Sequence, residues 1–172
     1  PQPGWRYDAD REVRASPTIV DGTVYVGDSG GVYALDTETG AVEWEYRTAG
    51  RVRAAPVVVD GVVFVGCTDE GSGETLYALD AATGDRYWSA NLGGSVSGSP
   101  AVVGGTVFVG TDDGTIYALA AVSGGRLWSF DTDRQIGTSP TVAYTTHYAG
   151  GGGVVYPRGR NGGPVSTLVT TG

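Results

Sequence analysis

Short apolar runs alternate with glycine-rich turns along the chain, and no segment carries a helical period. The first repeat shows the pattern. Residues 17–20, Pro-Thr-Ile-Val, stop at Asp21 and Gly22, a pair that favours a two-residue hairpin. Residues 23–26, Thr-Val-Tyr-Val, are apolar nearly throughout. A third run covers 31–35 and a fourth 42–47. The fourth alternates, with Val42, Trp44 and Tyr46 on one face and Glu43, Glu45 and Arg47 on the other. This spacing predicts four antiparallel strands, the second buried on both faces and the fourth at the outside. Val62, Val63, Phe64 and Val65, all apolar, make the same point for the second repeat.

The pattern recurs. Trp5, Trp44, Trp88 and Trp128 lie 39, 44 and 40 residues apart, and Pro17, Pro56, Pro100 and Pro140 keep the same steps, each 12 residues after a Trp. A sequence motif, Ala-x-Asp-x-x-Thr-Gly-x-x-x-Trp, runs from Ala34 to Trp44 and from Ala78 to Trp88. A looser copy runs from Ala118 to Trp128, with Ala120 in place of the Asp. Thr-Gly suits the turn between third and fourth strands, and the Trp is large enough to lock one repeat on the next. A strand-only period of this length predicts an all-β fold, a β-propeller of four-stranded antiparallel blades with four repeats present. The whole chain, 1–172, is expected to be one propeller domain. Its blades fall at about 16–48, 55–91, 99–131 and 139–172, the last completed by a strand at 3–9. The extra length of the second repeat fits a hairpin insertion at 70–74.

The fourth repeat departs from the pattern. Residues 144–153 read as a glycine-rich excursion carrying His147, the one histidine. Val154, Val155 and Tyr156 read as the second strand, capped by Pro157, and 158–163 as a turn. Residues 165–169 read as the third strand, and Thr171-Gly172 matches the Thr-Gly before each fourth strand. The missing fourth strand and its Trp stand at the other end, in Gly4-Trp5-Arg6-Tyr7. Pairing 5–7 with 165–169 would close the blade and remove a bare sheet edge. Two geometries allow it: one chain closing on itself, or a homodimer that exchanges terminal strands. A third case is a fragment of a larger propeller that does not close alone.

Composition narrows the function. Glycine is 30 of 172 residues, which suits a protein of many turns. Net charge is −8 and no lysine is present, so the positive footprint that nucleic acid requires is missing. An acidic, lysine-free surface suits a halophilic protein; a GC-rich genome, which exchanges Lys for Arg, is the other source of that composition. Cys67 is the one cysteine, so no intrachain disulfide forms, and its place after an apolar run makes it a buried small hydrophobe. No run is long enough to cross a membrane as a helix.

The docking motif resembles the tryptophan-docking repeats of the PQQ-like (quinoprotein dehydrogenase-like, BamB-like) β-propellers, over about residues 3–142. The resemblance implies that the Trp of one blade stacks on the motif Gly of its neighbour. Trp5, Trp44, Trp88 and Trp128 would then pair with Gly40, Gly84, Gly124 and Gly172. Family enzymes hold PQQ with calcium, an Asp base and adjacent cysteines; a chain with one Cys lacks that pair. Asp28, Asp69, Asp112 and Asp113 mark the second hairpins, and oxygen-rich turns can hold calcium. Their spacing does not match an EF-hand loop, and they read as turn residues, as do Asp36 and Asp80.

Catalytic, cofactor and metal residues are therefore expected to be none. The expected function is a non-catalytic binding or scaffold module with a protein or peptide partner, extracytoplasmic or at the cell surface, with a cytoplasmic location as the alternative. The competing reading is a piece of a larger eight-bladed propeller, either a quinoprotein dehydrogenase-like enzyme or the sensor domain of a signalling protein. One cluster stands out. Arg11, Arg14, Arg51, Arg53 and Arg134 lie in the crossovers between blades, all on one face of a propeller. They form a candidate mouth for an anion or acidic peptide, unless Asp8, Asp10, Glu12, Asp131 and Asp133 neutralise it.

Overall fold

In the computed structural model, which describes residues 4–68, 70–71, 73–132, 134–143, 146–151, 154–159 and 161–163, the apolar runs pair as antiparallel sheets. No helix is present among the described residues. The first sheet takes β1 (Thr18–Val20), β2 (Thr23–Gly27), β3 (Gly31–Asp36) and β4 (Val42–Arg47) in chain order. The second takes β5 (Val57–Val59), β6 (Val62–Gly66), β7 (Glu74–Asp80) and β8 (Arg86–Asn91). The third takes β9 (Ala101–Val103), β10 (Thr106–Gly110), β11 (Thr115–Ala120) and β12 (Arg126–Asp131). The fourth has β13 (Thr141–Ala143), β14 (Thr146–Gly151) and β15 (Val154–Gly159). The first strands lie side by side, β1 by β5, β5 by β9 and β9 by β13. This is the blade architecture of a propeller.

Asp21 and Asp60 open the first hairpins with φ of 47° and 50°, and each is followed by a positive-φ glycine. Both central residues are left-handed, as the twist of two short strands requires, and Asp tolerates that conformation. A β-bulge recurs in the outer pair of three blades, between Ala34 and Leu35, Ala78 and Leu79, and Ala118 and Leu119. The bulge skips one residue of the outer strand just before its Trp. Trp44 and Trp88 therefore turn inward while Val42 stays 47% exposed, although simple alternation puts Val42 on the packed face.

The core lies between blades. One cluster joins Tyr25, Val32, Ala34 and Trp44 of the first blade to Val63, Val65, Tyr77 and Leu79 of the second. Another joins Phe64, Leu76, Ala78 and Trp88 to Val107, Val109 and Leu119. A flat blade buries neither face alone, so stacking supplies the burial. The crossovers add a second device. Val52, Val96 and Ile136 are at most 1% exposed, and each presses on a glycine that ends a second strand. A methyl on Gly27, Gly66 or Gly110 would sit 2.2, 2.3 or 2.0 Å from those side chains. Their amides donate to the carbonyls of Asp28, Cys67 and Thr111. In the next blade, the Thr68 and Asp112 amides donate to the Arg51 and Ser95 carbonyls, so the crossovers at Val52 and Val96 each stitch two blades.

The fourth blade corrects the sequence reading. Residues 146–151 form strand β14, which the reading made an excursion, and Val154 to Tyr156 belong to the third strand. Glycine in a strand imitates a loop on paper, yet here Gly150 and Gly151 pair with Val155 and Val154. Pro157 stands inside β15, opposite Tyr148, and does not cap it. The chain turns at 159–163, where the Gly162 amide donates to the Gly159 carbonyl. His147 pairs through its backbone with Val142 and Arg158; its side chain lies outside the described residues, as do residues 165–169 and Gly172. Among the described residues Trp5, Arg6 and Tyr7 belong to no sheet.

Candidate functional site

The tryptophans build the blade contacts. Trp44 Nε1 donates to the Ala81 carbonyl at 2.9 Å and its ring covers Gly84, whose added methyl would lie 2.7 Å from Cδ2. Trp88 does the same to Ala121 at 2.8 Å and to Gly124. Trp5 does it to Thr37 at 2.8 Å and to Gly40. These glycines have φ near +70°, so both conformation and space exclude a side chain. Trp128 covers Gly162, at 2.9 Å by the same measure, where the sequence reading named Gly172. The mistaken strand order of the fourth repeat moved the expected partner ten residues on. Tyr7 packs on Tyr33 as Tyr46 packs on Tyr77, each pair at 5.7 Å between centroids. Residues 5–7 thus occupy, against the first blade, the place that Trp44 and Tyr46 occupy against the second.

The hairpin carboxylates accept from backbone amides and from a hydroxyl of the fold. Asp28 is fully buried; its Oδ1 accepts from the Gly30 and Gly31 amides at 2.6 and 2.8 Å, and its Oδ2 from the Tyr33 hydroxyl at 3.0 Å. Burial, then the Asp28 carboxylate, holds the Tyr33 hydroxyl well above the usual phenol range. Asp112 accepts from the Ser95 amide and Asp113 from the Thr115 amide. Asp69 lies outside the described residues. Asp36 and Asp80 each accept two amides of the docking turn. Cys67 is buried and its Sγ lies 3.5 Å from the Glu74 carbonyl. Among the buried side-chain nitrogen and oxygen atoms of the described residues, Thr75 Oγ1 alone lacks a partner, beside the bulge between Glu74 and Leu76. The adjacent cysteines are missing, and no three of the described His, Cys, Asp and Glu side chains come together to hold a metal.

The Tyr87 hydroxyl, followed by the Thr83 and Ala82 amides, holds the Asp80 carboxyl below its ordinary value of 3.8. A lowered pKa in the folded state contributes stability above the unfolded value, and that stability is lost as pH falls through the folded value. Asp80→Asn is therefore expected to flatten the fall in Tm below about pH 4, leaving the pH 6–8 plateau unchanged in slope. A Tm profile of equal steepness in both proteins would remove the linkage.

The crossover arginines are exposed on one face, with carboxylates among them. Arg14 pairs with Glu12 at 2.9 Å, and Arg51 with Glu70 of the second hairpin at 3.1 Å. Arg51 and Arg53 also lower the Glu12 carboxyl, after its bond to Arg14. The Arg11 stem lies over Gly30. Arg134 is exposed beside Thr132, and Asp133 lies outside the described residues. The mouth thus carries mixed charge.

The opposite face, which bears the first hairpins and the docking turns, holds a feature the sequence reading missed. Two equivalent clefts open between neighbouring blades. The one between the first and second blades, about 630 Å³, is walled by Asp21, Thr23, Tyr25, Glu43, Asp60 and Ala82. Between the second and third blades, about 460 Å³ is walled by Asp60, Val62, Phe64, Tyr87, Val102 and Val122. Where the first cleft has Thr23, Glu43 and Ala82, the second has Val62, Tyr87 and Val122. Tyr87 is 55% and Val122 91% exposed. The available signal was an apolar residue at a turn tip where the first repeat has Glu38.

The profile of the outer membrane protein assembly factor BamB matches residues 2–72 and 72–157. No curated protein sequence matches the chain. The structure is similar to BamB from Moraxella catarrhalis, with 29% identity and a TM-score of 0.74 over 90% of this chain and 48% of that one. It is similar to a quinohemoprotein alcohol dehydrogenase from Pseudomonas putida HK5, with 25% identity and a TM-score of 0.73 over 86% of this chain and 29% of that one. A computationally designed protein, Ika4, shares the fold at 20% identity and a TM-score of 0.77, over 88% of this chain and 93% of that one. The chain thus spans about half of that BamB and under a third of that dehydrogenase. With blades, repeat and profile in agreement over most of its length, the chain belongs to the PQQ-like β-propeller repeat family of BamB.

Proposed function

We propose that this chain is a non-catalytic binding or scaffold module whose partner is a protein or peptide. One observation carries the reading. Buried and turn polar groups bond within the fold, as Asp28, Asp36, Asp80 and Asp112 do, while the exposed apolar residues Tyr87 and Val122 stand where stacking does not use them. A family described as an outer membrane protein assembly factor supports an extracytoplasmic place for it. Reconstitution with PQQ and calcium is expected to give no alcohol or glucose oxidation above the cofactor blank. Turnover above that blank would overturn the reading.

A second reading, that these blades belong to a larger or closed ring, rests on Val13. It is 47% exposed, whereas its equivalents Val52, Val96 and Ile136 are buried. Each of those three meets the glycine at the end of a second strand. The strand register makes Gly150 the equivalent of Gly27, Gly66 and Gly110. An oxidised Val13→Cys/Gly150→Cys variant, in a Cys67→Ala background, tests the match. A monomeric cross-link is expected if one chain closes on itself, and a covalent dimer if two chains exchange ends. Neither product would sink closure and leave the docking of a further blade.

A further inference from the structure

We infer that the cleft between the second and third blades binds an extended peptide segment through an apolar side chain, with a neighbouring cationic residue of that segment held at Asp60. The inference rests on the binding-module reading and names its ligand chemistry. The apolar anchor follows from the walls. Val62, Phe64, Tyr87, Val102 and Val122 line the space, and Tyr87 and Val122 face water in the free protein. Blade stacking does not use their apolar surface, although the Tyr87 hydroxyl donates to Asp80. The sister cleft, built on the same strands and turns one blade earlier, carries Thr23, Glu43 and Ala82 at the matching positions. An apolar residue 91% exposed at a turn tip contributes nothing to stacking.

The cation follows from charge. Asp60 walls both clefts, and Asp21 and Glu43 line the first of them, on the other side of the hairpin. Elsewhere Asp8, Glu12, Glu45, Glu70 and Glu74 each pair with an arginine. Among the described residues Asp21, Glu43 and Asp60 form no such pair, and no arginine lines either cleft. One exposed carboxylate on the apolar slot, with two more in the sister cleft across the hairpin, complements a positive side chain next to an apolar one. The slot and the acidic edge lie on two sides of the Asp60–Gly61 hairpin. A ligand that reaches both carries its two anchors on one backbone, as a peptide does.

The probes are three capped fluorescent peptides in which Arg and Phe are separated by one, two or three glycines. Titration at low salt is expected to show saturable binding of at least one, with Kd below about 1 mM. Val122→Ser, at an exposed turn tip, is expected to weaken it about tenfold. Asp60→Asn keeps a residue that accepts the left-handed turn, and is expected to weaken binding several-fold and to reduce its salt dependence. Thermal melts of both variants verify the fold. Saturation by none of the three peptides overturns the inference. So does equal affinity when Glu replaces the peptide Arg, or affinity unchanged in both variants. Concentration-dependent dimerisation that Val122→Ser abolishes would also overturn it, because the occupant would be a second copy. These outcomes are separate from oxidase turnover, which bears on the module reading alone.

Discussion

Trp88→Ala is expected to destabilise the protein by about 3–5 kcal/mol. The ring is 9% exposed, lies over Gly124 and stands 6.0 Å from the Phe64 ring. Its removal opens a cavity between two blades and leaves the Ala121 carbonyl without its donor, which adds about 1 kcal/mol. A domain holds about 5–15 kcal/mol in total, so about a fifth or more is at stake. Blades couple chiefly to their neighbours, so the loss falls on one joint. Urea unfolding is therefore expected to broaden or split, with the first and third blades separating their transitions. Trp88→Phe keeps ring area and loses the N–H, so its cost is expected to fall between parent and Ala. Trp5 makes the same contacts but is only half-buried, and Trp5→Ala is expected to cost less than Trp88→Ala. Circular dichroism and the fluorescence of the remaining tryptophans follow both. A Trp88→Ala variant within about 1 kcal/mol of the parent would mean that the joint is held elsewhere.

The blades are legible in the sequence because their signals are local. Asp21-Gly22 marks a hairpin, 42–47 alternates, and the Trp and Pro ladders repeat together. The fourth blade is not legible by the same rules. Gly150 and Gly151 imitate a loop, although one of them stands where every other blade also places a glycine. Val154, Val155 and Tyr156 imitate a second strand because both inner strands are apolar. The bulge beside each Trp leaves no compositional trace. The crossover arginines show the limit of counting charge. Glu70, which pairs with Arg51, comes from a hairpin of the next blade, and no local pattern links the two. The apolar cleft is harder still, since Asp60, Tyr87 and Val122 are brought together from two blades by stacking.

Val52, Val96 and Ile136 are the other part that sequence hides, and they carry the second large effect. Each is the one β-branched apolar residue of its crossover, without periodicity. Gly66→Ala tests the contact. The added methyl would lie 2.3 Å from Val96 Cγ1 and 2.8 Å from Val96 Cβ, both fully buried. Two effects oppose each other. Alanine restricts the unfolded chain and favours folding by about 0.4–1 kcal/mol. Overpacking a closed core costs about 1–3 kcal/mol. The second wins here, because Val96 has little room to retreat. Its amide holds the Cys67 carbonyl at 3.0 Å, and the Ser95 carbonyl beside it holds the Asp112 amide at 3.0 Å. Moving Val96 aside would strain both bonds that stitch the second blade to the third. A net loss of about 2 kcal/mol is expected. Val96→Ala alone is expected to cost about 2 kcal/mol by leaving a cavity. Together the two changes partly cancel, because the methyl at 66 enters the space vacated at 96. A double-mutant cycle by urea denaturation is expected to give a favourable coupling of about 1 kcal/mol or more. Strict additivity would show that the crossover residue does not press on the strand end, and that the tryptophans alone hold the blades.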